Sequence, residues 1–198
     1  MRNVLFPTFG QMEETLADQF AASDRVVLAD LYEVDALQLE DYTALLISMH
    51  IDQRFLAERA GRIDCYIRSG GTLVANGHVA YPFLRDVSLF QPLQDHGVAD
   101  LAVRRQASHP VWDGVAEAEL TFRRGVAGFY GRGWHQPPAG ATVIHTLGDR
   151  KLPLDFTYRL GCGRVLFHGG NDLWQYAQAT DSTARIVPQL FTWIDSQD

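Results

Sequence analysis

The sequence predicts a single α/β domain over residues 1–198, built on a doubly wound, mostly parallel sheet with helices on both faces. Three observations predict it. Short apolar runs alternate with segments of helical periodicity through the first 80 residues. One run, Thr43-Ala44-Leu45-Leu46-Ile47-Ser48-Met49, is apolar almost throughout, as a strand covered on both faces must be. The connecting segments are short, which implies parallel neighbours joined by right-handed crossovers.

Taken in order, Val4-Leu5-Phe6 reads as a buried strand, and Met12, Leu16 and Phe20 fall every four residues on one face of a following helix. Arg25 to Ala29 gives a second strand and Thr43 to Met49 a third, central one. Asp52 can cap a helix whose apolar positions are Leu56, Ala60, Ile63 and Ile67, closed by Gly70-Gly71. Thr72 to Ala75 follows as a fourth strand. Residues 81–140 are rich in Pro, Gly and aromatic side chains without clear periodicity and read as loops and irregular strands. Ala141 to Thr146, Leu152 to Tyr158 and Arg164 to His168 are strand-like runs separated by turn signals, a meander rejoining the sheet. A final helix covers Thr183 to Asp195, with Pro188 tolerated only near its start.

Composition narrows the function classes. Hydrophobic residues at 46% and charged residues at 21% suit a globular chain that folds alone. A formal charge of -7 with no Lys/Arg run leaves no basic face for a phosphate backbone, so nucleic acid is not an expected partner. No segment approaches the roughly 20 apolar residues of a membrane span, and the N-terminal apolar stretch is too short for a signal peptide. With only Cys65 and Cys162, in neither a disulfide framework nor a metal spacing, a cytoplasmic location is expected.

Ligands of open α/β sheets bind outside the carboxyl ends of the strands, and three predicted strand ends carry histidine. These are Met49-His50-Ile51-Asp52, Asn76-Gly77-His78 and Phe167-His168-Gly169-Gly170-Asn171-Asp172. A shared pocket of His50, His78 and His168, helped by Asp52 and Asp172, has the groups for binding or for proton transfer near neutral pH. His78, His168 and Asp172 are the catalytic candidates; His50, Asp52, Asn76, Gly77, Tyr81, Asn171 and Trp174 are the ligand-binding ones. Each histidine taken alone is as well explained by satisfying buried backbone groups, and Asp52 by capping a helix. Arg54, Arg123 and Arg124 read as solvated surface cations, and Tyr130 and Trp134 as core. The histidine spacing matches no zinc signature, so no cofactor is expected. A metal would require His50, His78 and His168 nitrogens converging at about 3–3.5 Å.

Gly70-Gly71-Thr72-Leu73-Val74, His109-Pro110-Val111-Trp112-Asp113-Gly114 and Gly161-Cys162-Gly163-Arg164-Val165-Leu166-Phe167, in that order and spacing, resemble the class I glutamine-amidotransferase-like superfamily, and within it the trehalose-utilisation-like branch. The resemblance spans nearly the whole chain and implies a flavodoxin-like sheet and a homodimer as an admissible assembly. It also implies a nucleophile elbow after the fourth strand, but that turn reads Ala75-Asn76-Gly77-His78-Val79-Ala80 and holds no cysteine. Glutaminase chemistry is therefore not expected, and His78 is the counterpart near the elbow. Phe167-His168 resembles the Phe-His-Pro-Glu segment that supplies the family's base, with Gly169-Gly170 in place of Pro and Glu; Asp172 is a substitute orienting carboxylate, or Asn171-Asp172 aligns instead with the Gly-His-Asp of the trehalose-utilisation-like branch.

Three functions follow as expectations. The first is binding or transformation of a small polar metabolite, such as a sugar derivative, with His78 and His168 as acid/base groups. The second is a non-catalytic domain that binds a ligand or partner through the aromatic residues of 123–134. The third is metal-dependent hydrolysis through His50, His78 and His168.

Overall fold

The computed structural model describes residues 3–9 and 25–196. The helix expected around Met12, Leu16 and Phe20 lies outside them. An eight-stranded sheet forms the centre: β1 (Asn3–Thr8), β2 (Val26–Asp30), β3 (Tyr42–Ile47), β4 (Thr72–Asn76), β5 (Val103–Arg105), β6 (Thr142–Leu147), β7 (Leu152–Leu160) and β8 (Gly163–His168). Their order is β2-β1-β3-β4-β8-β7-β6-β5. The four ladders from β2 to β8 are parallel, and the three that add β7, β6 and β5 are antiparallel. The mostly parallel α/β sheet read from the sequence is thus present, with the expected meander as its antiparallel extension.

Strand alternation explains why both faces are covered. Leu5, Leu45, Ile47, Leu73, Ala75, Val165 and Phe167 share one cluster with Leu56 of α1 (Gln53–Glu58) and Ile63, Tyr66 and Ile67 of α2 (Ala60–Arg68). The alternate positions Val4, Phe6, Ala44, Leu46, Val74 and Leu166 pack instead under Trp112, Trp174 and, beyond the short α3 (Glu117–Thr121), the helix α4 (Ile186–Asp195). A period of two along every strand supplies an apolar residue to each side in turn.

The sequence read one helix from Asp52 to Gly70, whereas the structure has two. Arg59 leaves helical geometry (φ −109°, ψ 12°), and its guanidinium pairs with Asp35 at 2.7 Å and lies 3.4 Å from the centre of the Phe55 ring. The segment 81–140 is mostly irregular, as expected, but also contributes the edge strand β5, α3 and two short two-residue ladders, Gln91–Pro92 with Gly133–Trp134 and Phe122–Arg123 with Val126–Ala127. At the carboxyl end of α4, Arg164 is 8% exposed and donates to the carbonyls of Trp193 (2.6 Å) and Ser196 (2.7 Å), so a strand cation satisfies helix-end acceptors. Replacing it, Arg164→Met, should remove the donor to the Ser196 carbonyl and one of the donors to Trp193 O, and cost roughly 1–3 kcal/mol, read as a lowered urea midpoint with faster amide exchange in α4.

Candidate functional site

The carboxyl ends of the adjacent parallel strands β4 and β8 come together, and the turn after each is set by backbone constraints. After β4, Gly77 takes φ +97°, and a Cβ there would stand 2.5 Å from Met49 Cβ. The left-handed residue of this turn must therefore be glycine, and no nucleophilic side chain fits where the chain turns. Gly77 N–H donates to His168 O at 2.9 Å, tying the two strand ends together. Both cysteines are exposed, on α2 and in the β7–β8 turn. After β8, Gly170 packs so closely that a Cβ would lie 1.6 Å from Tyr130 O.

Behind these turns runs a polar row across four neighbouring strands. Arg105 is opposite His145, His145 opposite Asp155, and Asp155 opposite His168. His145 Nδ1 is 2.7 Å from Asp155 Oδ2 and His168 Nδ1 is 2.5 Å from Asp155 Oδ1, while Tyr130 OH donates to Oδ2 at 2.7 Å. Arg105 Nε donates to His145 Nε2 at 3.4 Å, which puts the neutral ring's proton on Nδ1, facing Asp155. Asp155 and both histidines are 0% exposed. Burial alone would raise the Asp155 pKa, but His168 and His145 override it and hold the carboxyl well below the usual carboxylate range. Burial, reinforced by Asp155, pushes the Tyr130 phenol well above its ordinary value, so it stays a donor.

In front lies a cavity of about 270 Å³ lined by His78, Gly128, Phe129, Gly131, Arg132, Gly170 and Asn171. His78 is stacked on Phe90 with ring centres 3.6 Å apart, and burial, then nearby His168, lowers its pKa. Arg132 Nε donates to Gly128 O at 3.0 Å. Among the described residues, the His78 ring nitrogens, the terminal amino groups of Arg132 and the Asn171 carboxamide make no hydrogen bond to protein. A larger cleft of about 600 Å³ sits at the opposite, amino-terminal edge of the strands, where the Arg164 guanidinium is already engaged by α4.

Several residues singled out in the sequence are placed otherwise. Asp172 does not orient His168: its carboxylate accepts from Ser48 Oγ and Met49 N, both at 2.7 Å, and burial outweighs these bonds to raise its pKa. Asp155, on β7, stands where the orienting carboxylate was sought. Trp174 is 0% exposed and packs edge-on against Phe6 at 5.1 Å, a core residue rather than a stacking platform. Asn76 bridges Ile47 O and Leu173 N. Asp52 caps α1 through Arg54 N and Phe55 N. Tyr81 is exposed and accepts from Arg54 Nε at 2.7 Å. His50 is exposed, and among the described residues no three His, Cys, Asp or Glu side chains gather into a metal-holding group, so the geometry that metal-dependent hydrolysis requires is not formed by His50, His78 and His168. His78, Asn171 and the Gly170 backbone do share the cavity, with His168 one layer behind. Phe129 belongs to the aromatic stretch 123–134, whereas Arg132, Asp155 and His145 were missed. Only the Gly-Arg-Gly run at 131–133, with glycine on either side of a lone cation, marked any of them locally.

No family model matches the chain, and no curated protein is similar to it at a significant level. Solved structures do match its fold. A protein of Salmonella typhimurium described as cytoplasmic superposes with a TM-score of 0.62 at 13% identity, over 96% of this chain and 98% of that one. A second cytoplasmic protein, from S. typhimurium LT2, gives 0.60 at 13% identity over 98% of both. A GH42 β-galactosidase from G. stearothermophilus gives 0.55 at 14% identity, matching 98% of this chain but only 30% of its own length. At such identities the likeness concerns the fold alone.

Asp155→Asn should cost about 3–5 kcal/mol, since it leaves a buried arrangement of imidazoles and phenol without its charge; chemical denaturation measures it. The wild-type contribution has a definite sign with pH. A carboxyl whose folded pKa is depressed stabilises fully above its unfolded value of about 3.9 and loses that stabilisation as pH falls toward the folded value. The carboxyl's contribution to the wild-type advantage over Asp155→Asn should accordingly shrink as pH falls below about 4.

Proposed function

We propose that the chain is a class I glutamine-amidotransferase-like domain without glutaminase chemistry that binds a small polar metabolite in the cavity at the carboxyl ends of β4 and β8. The strand order β2-β1-β3-β4, continued by β8, is that of a flavodoxin-like doubly wound sheet and supports the family reading. The observation that carries the binding reading is the contrast in hydrogen bonding. Asn76, Asp155 and Asp172 are engaged with protein, while among the described residues the His78 ring nitrogens, the Asn171 carboxamide and the terminal amino groups of Arg132, which line the cavity, make no hydrogen bond to protein. Polar groups positioned this way in a concave site are recognition groups.

His78 is the acid/base candidate that touches the cavity. His168, oriented by Asp155, supports it from behind. The absence of any nucleophile on the Gly77 turn separates the domain from glutamine hydrolysis. A sugar derivative remains the ligand suggested by the trehalose-utilisation-like resemblance, and a cytoplasmic setting agrees with the descriptions of the two Salmonella proteins.

A second reading, partner binding, is favoured by one feature: Phe122, Val126 and Phe129 are 45%, 50% and 38% exposed in and beside one short hairpin.

The pocket reading is tested by thermal shift against a panel of small polar metabolites, with His78→Ala and Asn171→Ala alongside wild type. A stabilising compound should lose most of its shift in both variants, and incubation with glutamine should release no ammonia. A wild-type shift that both variants retain would move the site elsewhere, and ammonia release would overturn the non-glutaminase assignment.

A further inference from the structure

Resting on the metabolite-pocket reading, we propose that the ligand carries an acidic group, a carboxylate or a phosphate, and that Arg132 at the cavity wall is the residue that receives it. Among the described residues that line the cavity, Arg132 is the only permanently charged one and none is a carboxylate. The buried carboxylates Asp155 and Asp172 are already engaged, Asp155 by His145, His168 and Tyr130, and Asp172 by Ser48 and Met49. Among the described residues no carboxylate pairs with the exposed guanidinium.

Its geometry is that of a prepared cation. Nε is tied to Gly128 O at 3.0 Å, and Gly128, at φ +85°, lets the side chain lie across the loop, since a Cβ there would stand 3.0 Å from that same Nε. One edge of the planar fork is fixed by the protein, which leaves the terminal amino groups for a ligand; parallel N–H donors are the geometry that carboxylates and phosphates accept in bidentate fashion. Asn171 adds a carboxamide donor. The His78 ring, kept on the neutral side by burial and by His168, supplies a donor or acceptor for a neutral part of the molecule. A volume of about 270 Å³ lies just below the usual range of ligand sites, roughly 300–1,000 Å³, and so suits a small organic acid or a small phosphorylated compound better than a nucleotide.

The test is calorimetric titration of the whole chain with gluconate, glycerol 3-phosphate and glucose, on wild type, Arg132→Gln, Arg132→Lys and the exposed-arginine control Arg124→Gln. At least one acid should bind, with chemical-shift changes at Asn171 and Gly170. Its Kd should rise about tenfold or more in Arg132→Gln, recover in part in Arg132→Lys, stay unchanged in Arg124→Gln and weaken with added salt. The two acids separate a carboxylate from a phosphate preference. Acid binding that Arg132→Gln leaves intact, or glucose binding as tightly as the acids, overturns the inference while leaving the pocket reading in place. If neither these probes nor any metabolite of the wider panel perturbs His78 or Asn171, the pocket reading fails with it.

Discussion

The structure depends on one buried negative charge. Asp155 is fully enclosed, and an isolated carboxylate there would be costly enough to neutralise or to unfold its surroundings. Donors from His145, His168 and Tyr130 hold it instead, and Arg105 completes the row at the far edge while also donating to the carbonyls of Trp112 and Val115. Each of these residues belongs to a different strand or loop, so the charge is satisfied only when β5, β6, β7 and β8 pair in a single register. A slip of one residue would turn a row member to the opposite face. The antiparallel half of the sheet is thereby fixed by polar bonding as much as by apolar packing.

The same charge reaches the cavity through Tyr130. Its hydroxyl is anchored on Asp155, its ring lies 4.5 Å from that of His168, and its carbonyl presses against Gly170 where no Cβ fits. The loop of residues 128–132 is consequently seated on β7 and β8 at the point where the chain leaves the sheet. The glycine at 170 follows from that contact: the space a larger residue would occupy is filled by backbone from another loop. Arg132 is two residues from Tyr130, so the position of the cavity's cation is a consequence of how the buried charge is satisfied.

What was legible in the sequence divides along the same line. β3, β4 and β8 were readable because strands covered on both faces are continuously apolar, and His78 and Asn171 because functional groups gather at strand carboxyl ends. β5 was not, since three residues reading Val-Arg-Arg carry no strand period. The break at Arg59 was hidden because Leu56, Ala60, Ile63 and Ile67 stay in phase across it. Asp155 sits in Leu152-Pro153-Leu154-Asp155-Phe156, where a lone polar residue in an alternating strand reads as solvent-facing; Tyr130, from the irregular 81–140 segment, packs over it and its two histidines. Asp172 and Trp174 attracted attention by adjacency to His168, yet adjacency along a chain that has just left a strand says little about where a side chain ends up.

Which polar groups remain unengaged is then a better guide to recognition than which are unusual. The most perturbed groups, Asp155, Tyr130 and His135, whose pKa burial pulls down to about 3, have environments set by packing and serve the fold. His78, Arg132 and Asn171 are modest by that measure, but each lines the same cavity, and two of them are restrained without being satisfied, one by stacking on Phe90 and one by a single bond to Gly128 O. Restraint of this kind lowers the ordering cost that a ligand would otherwise meet on binding. A scaffold that engages its buried charge with three side chains, and sets a cation and a carboxamide in the cavity in front of it, has separated the groups that hold the fold from the groups that face the cavity.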